Sequence, residues 1–569
     1  DNTRGWYRYH HLFAEVLHSR LGQAAPDSIP TLHARAGAWH QQQGQINEAI
    51  EHALAAEDWP RVLDLIESLD RELASRGEQA TLRRWLSAVP DALLAGRPGL
   101  CLRYAWALLF HQHISACERP LAVAEQAWRA GGDDARLGEV LILRSAVASF
   151  QGDPARALAC AREALARLPA ADLFQRDIAY AYVFAACRST GDLAGAAEAL
   201  AGQRALGHVV NSMPVPPAAA GISLDTEIGA GHLAVAAGRL REGAAAYRQA
   251  IRLAGRTHLR ARMGAHWHLS QILREWNDLD AAEEHARQGT AICAQIGEAL
   301  SLPEGHLLIA RILAARSDYE GAGQELELAR DGARQVGRDQ FVQLLATEAA
   351  RLWLRQARLA EAGRWAAGCA LPLDVPPPYE RQFEYLTLVR VRLAQHLPGN
   401  APRVLAHLIE DAEAAGRTRE VMGGLVLLAL AHAARGATDQ ALPPLERALA
   451  LAEPEGYIRL FVDEGAPLAA LLDHLAAQRP PTAYIRTLRA AFAADAAPAG
   501  VPIAYTTPLS PREAGVLRLL GQGASNDQIA AELTIAVDTV KKHVSHIYTK
   551  LDVTSRTQAV ARARQLGLL

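Results

Sequence analysis

Along most of this chain Leu, Ala and other apolar residues return at three-to-four spacing, the period of helices that bury one face. The helices come in pairs. A turn residue followed five positions later by a small residue recurs at Gly44/Ala49, Gly152/Ala157, Gly191/Ala196, Gly238/Gly243, Asn277/Ala282, Ser317/Ala322, Ala357/Ala362 and Gly436/Ala441. Gly399 keeps the spacing, with Val404 in place of the small residue. From Gly152 to Gly436 this divides the sequence into seven intervals of about 41 residues, each with two helical segments.

A Gly or Asn tolerates positive φ and stops the first helix. The small residue then lets the second helix approach closely. One pair cannot bury its apolar face alone, so pairs stack into a superhelix. Residues 30–492 read as such a solenoid, least regular over residues 70–150. A stack of this kind is first a scaffold; what it adds is a concave groove for an effector or a protein partner.

The texture changes after residue 492. Pro498, Gly500 and Pro502 punctuate a linker over residues 493–506, where proline removes amide donors and blocks a continuous helix. Residues 507–569 hold three capping boxes, Ser510-x-x-Glu513, Ser525-x-x-Gln528 and Ser555-x-x-Gln558. They predict helices near 511–521, 526–533, 537–551 and 556–566, a small bundle.

On a helical wheel, Val540, Val544, Ile547 and Leu551 form one narrow stripe. Asp538, Lys542, Ser545, His546 and Thr549 lie opposite; Lys541 and Tyr548 take one shoulder, His543 and Lys550 the other. Charge distribution sharpens this. The net charge of the 569 residues is −3, yet residues 507–569 carry eight Arg/Lys against five Asp/Glu, while residues 1–506 are net acidic. All three lysines (Lys541, Lys542, Lys550) sit on this one helix, after a tight turn and a short helix. A basic, hydroxyl-bearing helix in a helix-turn-helix suits the DNA major groove, with lysine reaching guanine edges and nearby cations the phosphates.

The run from Leu509 to Leu569, with SPRE, SNDQIAAEL, TVKKHVSHIYTKL and SRTQAV, resembles the LuxR-type DNA-binding domain over its full length. By position, the resemblance implies that Lys541, Lys542 and Ser545 face the groove, that Asn526, Thr539 and His543 stand near the phosphate backbone, and that the last helix supports pairing of protomers. Thr549 and Lys550 complete the candidate DNA-binding set. One departure is Ala536, where relatives usually place a capping Ser or Thr; a lost cap costs about 1 kcal/mol, which Asp538 in the first turn partly offsets through the helix dipole.

The repeats resemble tetratricopeptide-type pairs in the longer MalT-like form. Trp6 to Leu21 (WYRYHHLFAEVLHSRL) resembles the end of the helical, winged-helix-like region that follows the nucleotide-binding module in large ATP-binding LuxR-type regulators, so residues 1–29 are assigned to its tail. The sequence opens on Asp1, and the resemblance implies a nucleotide-dependent module upstream. ATP is expected only there; no cofactor is expected within this chain. A phosphate-cradling P-loop needs a lysine, and none precedes Lys541.

Other chemistry is sparse. Six scattered cysteines lack metal or disulfide spacing and point to a reducing compartment. Adjacent His10 and His11 diverge on a helix, His111/His113 and His266/His268 are isolated, and no metal site is expected. His-Glu-x-x-His, Gly-x-Ser-x-Gly and helix-opening Gly-x-Gly-x-x-Gly motifs are missing, and most carboxylates sit beside arginines on helix faces, where a solvated pair is the default. The apolar run Gly424 to Ala434 is too short to span a bilayer.

The sequence therefore describes an all-α chain, a TPR-like solenoid followed by a four-helix helix-turn-helix domain. The function expected is that of a cytoplasmic, non-enzymatic transcriptional regulator. Its partners would be double-stranded DNA, a small-molecule inducer or protein in the solenoid groove, RNA polymerase, and a second protomer or more on DNA, with no membrane. The alternative is a helical-repeat adaptor whose basic tail is incidental.

Overall fold

The computed structural model describes residues 11–69, 79–110, 113–211, 219–369, 371–372, 377–478, 480–495, 509–551, 553, 555–565 and 568. Every regular element among them is helical. The chain forms two compact units, residues 1–179 and 180–569.

In the first unit the expected pairing begins with Ile29–Gln42 and Ile46–Ala55. A Cβ on Gly37 would sit 3.4 Å from the Ala49 carbonyl oxygen, so the two backbones are in near contact there. The stretch of low regularity holds Gln79–Ala88, Pro98–Phe110, Glu118–Gly131 and Asp134–Gln151. Trp85 is fully buried and donates from Nε1 to Glu51 (2.7 Å), so its polar edge is satisfied. His10 and His111 lie outside the described residues.

In the second unit the repeat signature becomes a uniform geometry. Every turn residue of the second unit's signature, Gly191, Gly238, Asn277, Ser317, Ala357 and Gly436, is left-handed, with φ from 57° to 83°. The turn closes in the same way at each non-glycine position: the backbone amide of Asp278 donates to the Leu273 carbonyl (2.9 Å), that of Asp318 to Leu313 (3.0 Å) and that of Arg358 to Trp353 (2.8 Å). Ala196, Ala282, Ala322, Ala362 and Ala441, five positions on, are buried. At Gly243 the approach is closer still: a Cβ there would lie 2.7 Å from Val235 Cγ2 and would force that side chain to shift.

An aspartate follows several of these turns and caps the next helix. Asp192 accepts from the Gly195 amide (2.9 Å), Asp278 from Ala281 (3.3 Å) and Asp318 from Gly321 (2.9 Å).

The pairs wind until late elements meet early ones. Arg417 donates to the Gly191 carbonyl (3.0 Å), Tyr457 Oη to Gly238 (3.1 Å) and the Ile458 amide to Glu275 (3.0 Å). These acceptors lie at or beside the ends of early helices, where carbonyls have no partner of their own. Met422, Tyr457, Phe461 and Leu488 thus share one core with Leu240, Ile272 and Leu308. The wound pairs surround a channel of about 1770 Å³.

One expectation needs correction. The helix Ala483–Asp495 runs past the start expected for the linker. Phe492 is buried and Asp495 pairs with Arg355 (3.0 Å) and Arg459 (2.9 Å), and these contacts hold the helix to its end. Residues 496–508 of the linker lie outside the described residues. One carboxylate lies apart from the solvated pairs: Asp463 is nearly buried among Arg274, Arg355 and Arg459.

Candidate nucleic-acid interface

The last four helices, Pro511–Gly521, Asn526–Leu533, Val537–Leu551 and Arg556–Gln565, match the expected ranges to within one residue. Two capping boxes are complete. The Ser510 amide donates to Glu513 (2.6 Å) and the Glu513 amide to Ser510 Oγ (3.2 Å); the Ser525 and Gln528 pair is held at 2.7 and 3.3 Å. At the third, the Gln558 amide donates to Ser555 Oγ (3.2 Å).

The turn between second and third helices is built on Thr534, whose φ of 53° is left-handed for a β-branched residue. The Ile535 amide then donates back to Ala530 (3.0 Å), which ends the second helix sharply and sends the third across it. Ala536 precedes the third helix and carries no side-chain acceptor; its carbonyl receives the Val540 amide at 3.1 Å.

The third helix divides as its wheel requires. Val540, Ile547 and Leu551 are buried with Val516, Leu517, Leu520 and Ile529, and Val544 packs against them. Lys541, Lys542, Ser545 and His546 are exposed on the other side. Asp538 is exposed as well, and Lys541 Nζ lies 3.0 Å from its carboxylate. The acid thus carries its own counter-ion one turn away, and the repulsion it would offer a phosphate is reduced.

Lys550 stands apart from the other two lysines. Its Nζ donates to Glu513 Oε2 at 2.7 Å, and its side chain is largely covered. Burial alone would raise the Glu513 pKa; the bonds from Lys550 and Ser510 outweigh it and hold the carboxyl below its ordinary value. Lys550 therefore locks the third helix to the first, and the exposed ammoniums of the helix are narrowed to its N-terminal half.

The remaining candidates are distributed around that half. Thr539 and His543 are half-buried on its flank, and Asn526 is half-buried at the first turn of the second helix. The side chain of Thr549 lies outside the described residues. Two structural residues escaped sequence reasoning. Glu513 was legible as a cap but not as an ion-pair partner of Lys550. Arg556 donates from Nη2 to the carbonyls of Ala524 (2.6 Å) and Leu520 (3.4 Å), tying the fourth helix to the end of the first.

Comparison with known proteins gives two family matches. Residues 138–478 match the MalT-like TPR region, and residues 507–563 match the bacterial regulatory proteins of the luxR family. Among curated proteins, the whole chain is 29% identical to the HTH-type transcriptional regulator MalT of Cronobacter sakazakii and 29% identical to that of Serratia proteamaculans. The chain spans 65% of the length of each. Among solved structures, a Rap protein complexed with competence and sporulation factor aligns with a TM-score of 0.47 at 10% identity, over 63% of this chain and 99% of that one.

Proposed function

The chain belongs to the MalT-like TPR family and carries a luxR-family domain at its C-terminal end, and from that premise we propose that it is a DNA-binding transcriptional regulator. The helix Val537–Leu551 enters the major groove with Lys541, Lys542 and Ser545 toward base edges. Asn526, Thr539 and His543 meet the flanking phosphates. The observation that carries this reading is the division of that helix. Its apolar stripe is buried in the bundle while Lys541 and Lys542 are exposed on the opposite side.

The superhelix of the second unit is the sensing part, and its channel takes an effector. Two protomers pair through Arg556–Gln565 on half-sites about one helical turn apart, and RNA polymerase is the downstream partner. No lysine precedes Lys541 to serve a phosphate loop, so no ATP site is proposed within this chain. No helix among the described residues is long and apolar enough to cross a membrane, and the proposed site of action is the cytoplasm.

Selection of bound fragments from sheared genomic DNA, followed by gel-shift titration of the enriched sequence, tests the reading. Enrichment of a defined sequence is expected, with affinity that falls steeply with salt and drops about tenfold or more in Lys542→Ala. Absence of enrichment, or unchanged binding by Lys542→Ala, would return the chain to the class of helical-repeat adaptors.

A further inference from the structure

The inner helices of the second unit share one register. In five inner helices the residue six positions before a left-handed turn lines the channel: His232 before Gly238, Gln271 before Asn277, Arg311 before Ser317, Arg351 before Ala357 and Arg390 before His396. Three consecutive repeats therefore place an arginine on the same rung. Neighbouring packed helices are roughly 10 Å apart, so the three guanidiniums form a ladder along the channel wall.

Two rungs are occupied from within. Arg311 Nε donates to Glu348 (2.8 Å), and Arg390 donates from Nε (3.0 Å) and Nη2 (2.6 Å) to Glu464. The middle rung has no hydrogen-bond or ion-pair partner among the described residues. Arg351 rests instead 5.6 Å from the centroid of the Phe383 ring, which Arg311 approaches to 6.0 Å from its own rung. Burial, and then the charge of Arg390, push Arg351 down to about 10 against the opposing pull of Glu348, Asp463 and Glu464. Elsewhere on the wall, burial holds His232 well below its ordinary value, and burial followed by Arg188 holds His268 down to about 3.

Glu464 reaches Arg390 from outside the repeats. It follows Asp463 after the short helix Arg459–Val462, in the segment that returns to the early repeats. Asp463 is gripped by Arg355 (2.8 Å) and by Arg274 and Arg459, whereas Glu464 pairs with Arg390 alone among the described residues. The first carboxylate is thus held by three arginines and the second by one. The channel has room for a ligand beside it, since small-molecule sites run from roughly 300 to 1000 Å³.

We propose that the channel binds a small polyanion, bearing two or more carboxylate or phosphate groups, on Arg311, Arg351 and Arg390, and that the ligand displaces Glu464 from Arg390. This deepens the reading of the superhelix as the sensing part and rests on it. Guanidinium forks suit both oxyanions, which each accept paired hydrogen bonds. No bond is made or broken; the ligand exchanges one internal ion pair for several external ones.

Titration calorimetry of the whole chain with citrate, with pyrophosphate and with neutral trehalose, at matched ionic strength, tests this. At least one of the two anions is expected to bind with a Kd below about 1 mM, and trehalose to give no heat; which anion binds separates carboxylate from phosphate recognition. Arg351→Gln is expected to weaken binding about tenfold or more. Glu464→Gln, which keeps every arginine, is expected to tighten it severalfold. The proposal is overturned if neither anion binds, if trehalose binds as well as they do, if Arg351→Gln binds unchanged with its fold intact by circular dichroism, or if Glu464→Gln binds no tighter. A parallel gel shift keeps the two readings separate: intact DNA binding with a silent channel removes only the polyanion site, and the converse removes only the DNA assignment.

Discussion

Lys550 Nζ lies 2.7 Å from Glu513 Oε2, and the same carboxylate accepts the Ser510 amide at 2.6 Å. One buried acid thus both caps the first helix of the C-terminal domain and holds the third helix in place. Glu513→Gln keeps the cap geometry but removes the charge, and should cost about 2 kcal/mol, read as lost hydrogen-exchange protection over residues 511–551. The sign with pH follows from the direction of the shift. Because the folded carboxyl is held below its ordinary value of 4.5, its contribution is whole above that value and disappears as pH falls through the lower folded one. Exchange protection in the domain should therefore decline on acidification from about pH 5, and decline less in Glu513→Gln.

The two kinds of lysine on the recognition helix should separate in a paired measurement. Lys542 is exposed, so Lys542→Ala should shift stability by less than about 0.5 kcal/mol while weakening DNA binding. Lys550→Ala removes the ammonium bonded to Glu513 and should cost about 2 kcal/mol of domain stability. Equal stability loss in both variants would contradict the division of the helix.

Ala536 stands at the start of the recognition helix with no side-chain acceptor to offer the first-turn amides. Ala536→Ser should stabilise the domain by about 1 kcal/mol without altering the lysine face. Exchange at the amides of residues 538–540 is the sensitive readout, since a serine hydroxyl would accept from that first turn. No slowing there would mean that the exposed Asp538 already fulfils the role through the helix dipole.

These local devices were legible because each is written within a few residues. Ser510 and Glu513 announce a cap whatever surrounds them, and Gly238 or Asn277 announces a left-handed turn. Even Ser317 and Ala357, poor residues for positive φ, were found by their spacing to Ala322 and Ala362. The superhelix's closure was not legible. Tyr457 and Gly238 are 219 positions apart, and no periodicity links a hydroxyl in one segment to a carbonyl in another. The arginine ladder was hidden for a related reason. Arg311, Arg351 and Arg390 look like any solvated helix arginines until the winding of the repeats turns their shared register inward. The burial of Asp463 was hidden in the same way, because a carboxylate beside Arg459 in sequence gives no sign of what covers it.

The closure itself can be probed by one oxygen atom. Tyr457 is fully buried and its hydroxyl donates to the Gly238 carbonyl at 3.1 Å, where the end of an early helix meets the late segment. Tyr457→Phe keeps the ring and its packing but leaves that carbonyl without this donor, at a cost of about 1 kcal/mol. The loss should be regional rather than uniform. Hydrogen exchange should quicken both around residues 457–462 and around residues 238–243, far apart in sequence, because the hydroxyl joins the two. Ile458, whose amide donates to the Glu275 carbonyl at 3.0 Å, should report the same opening. If only the late segment responds, the early repeats do not depend on the seam, and the superhelix holds its curvature by neighbouring pairs alone.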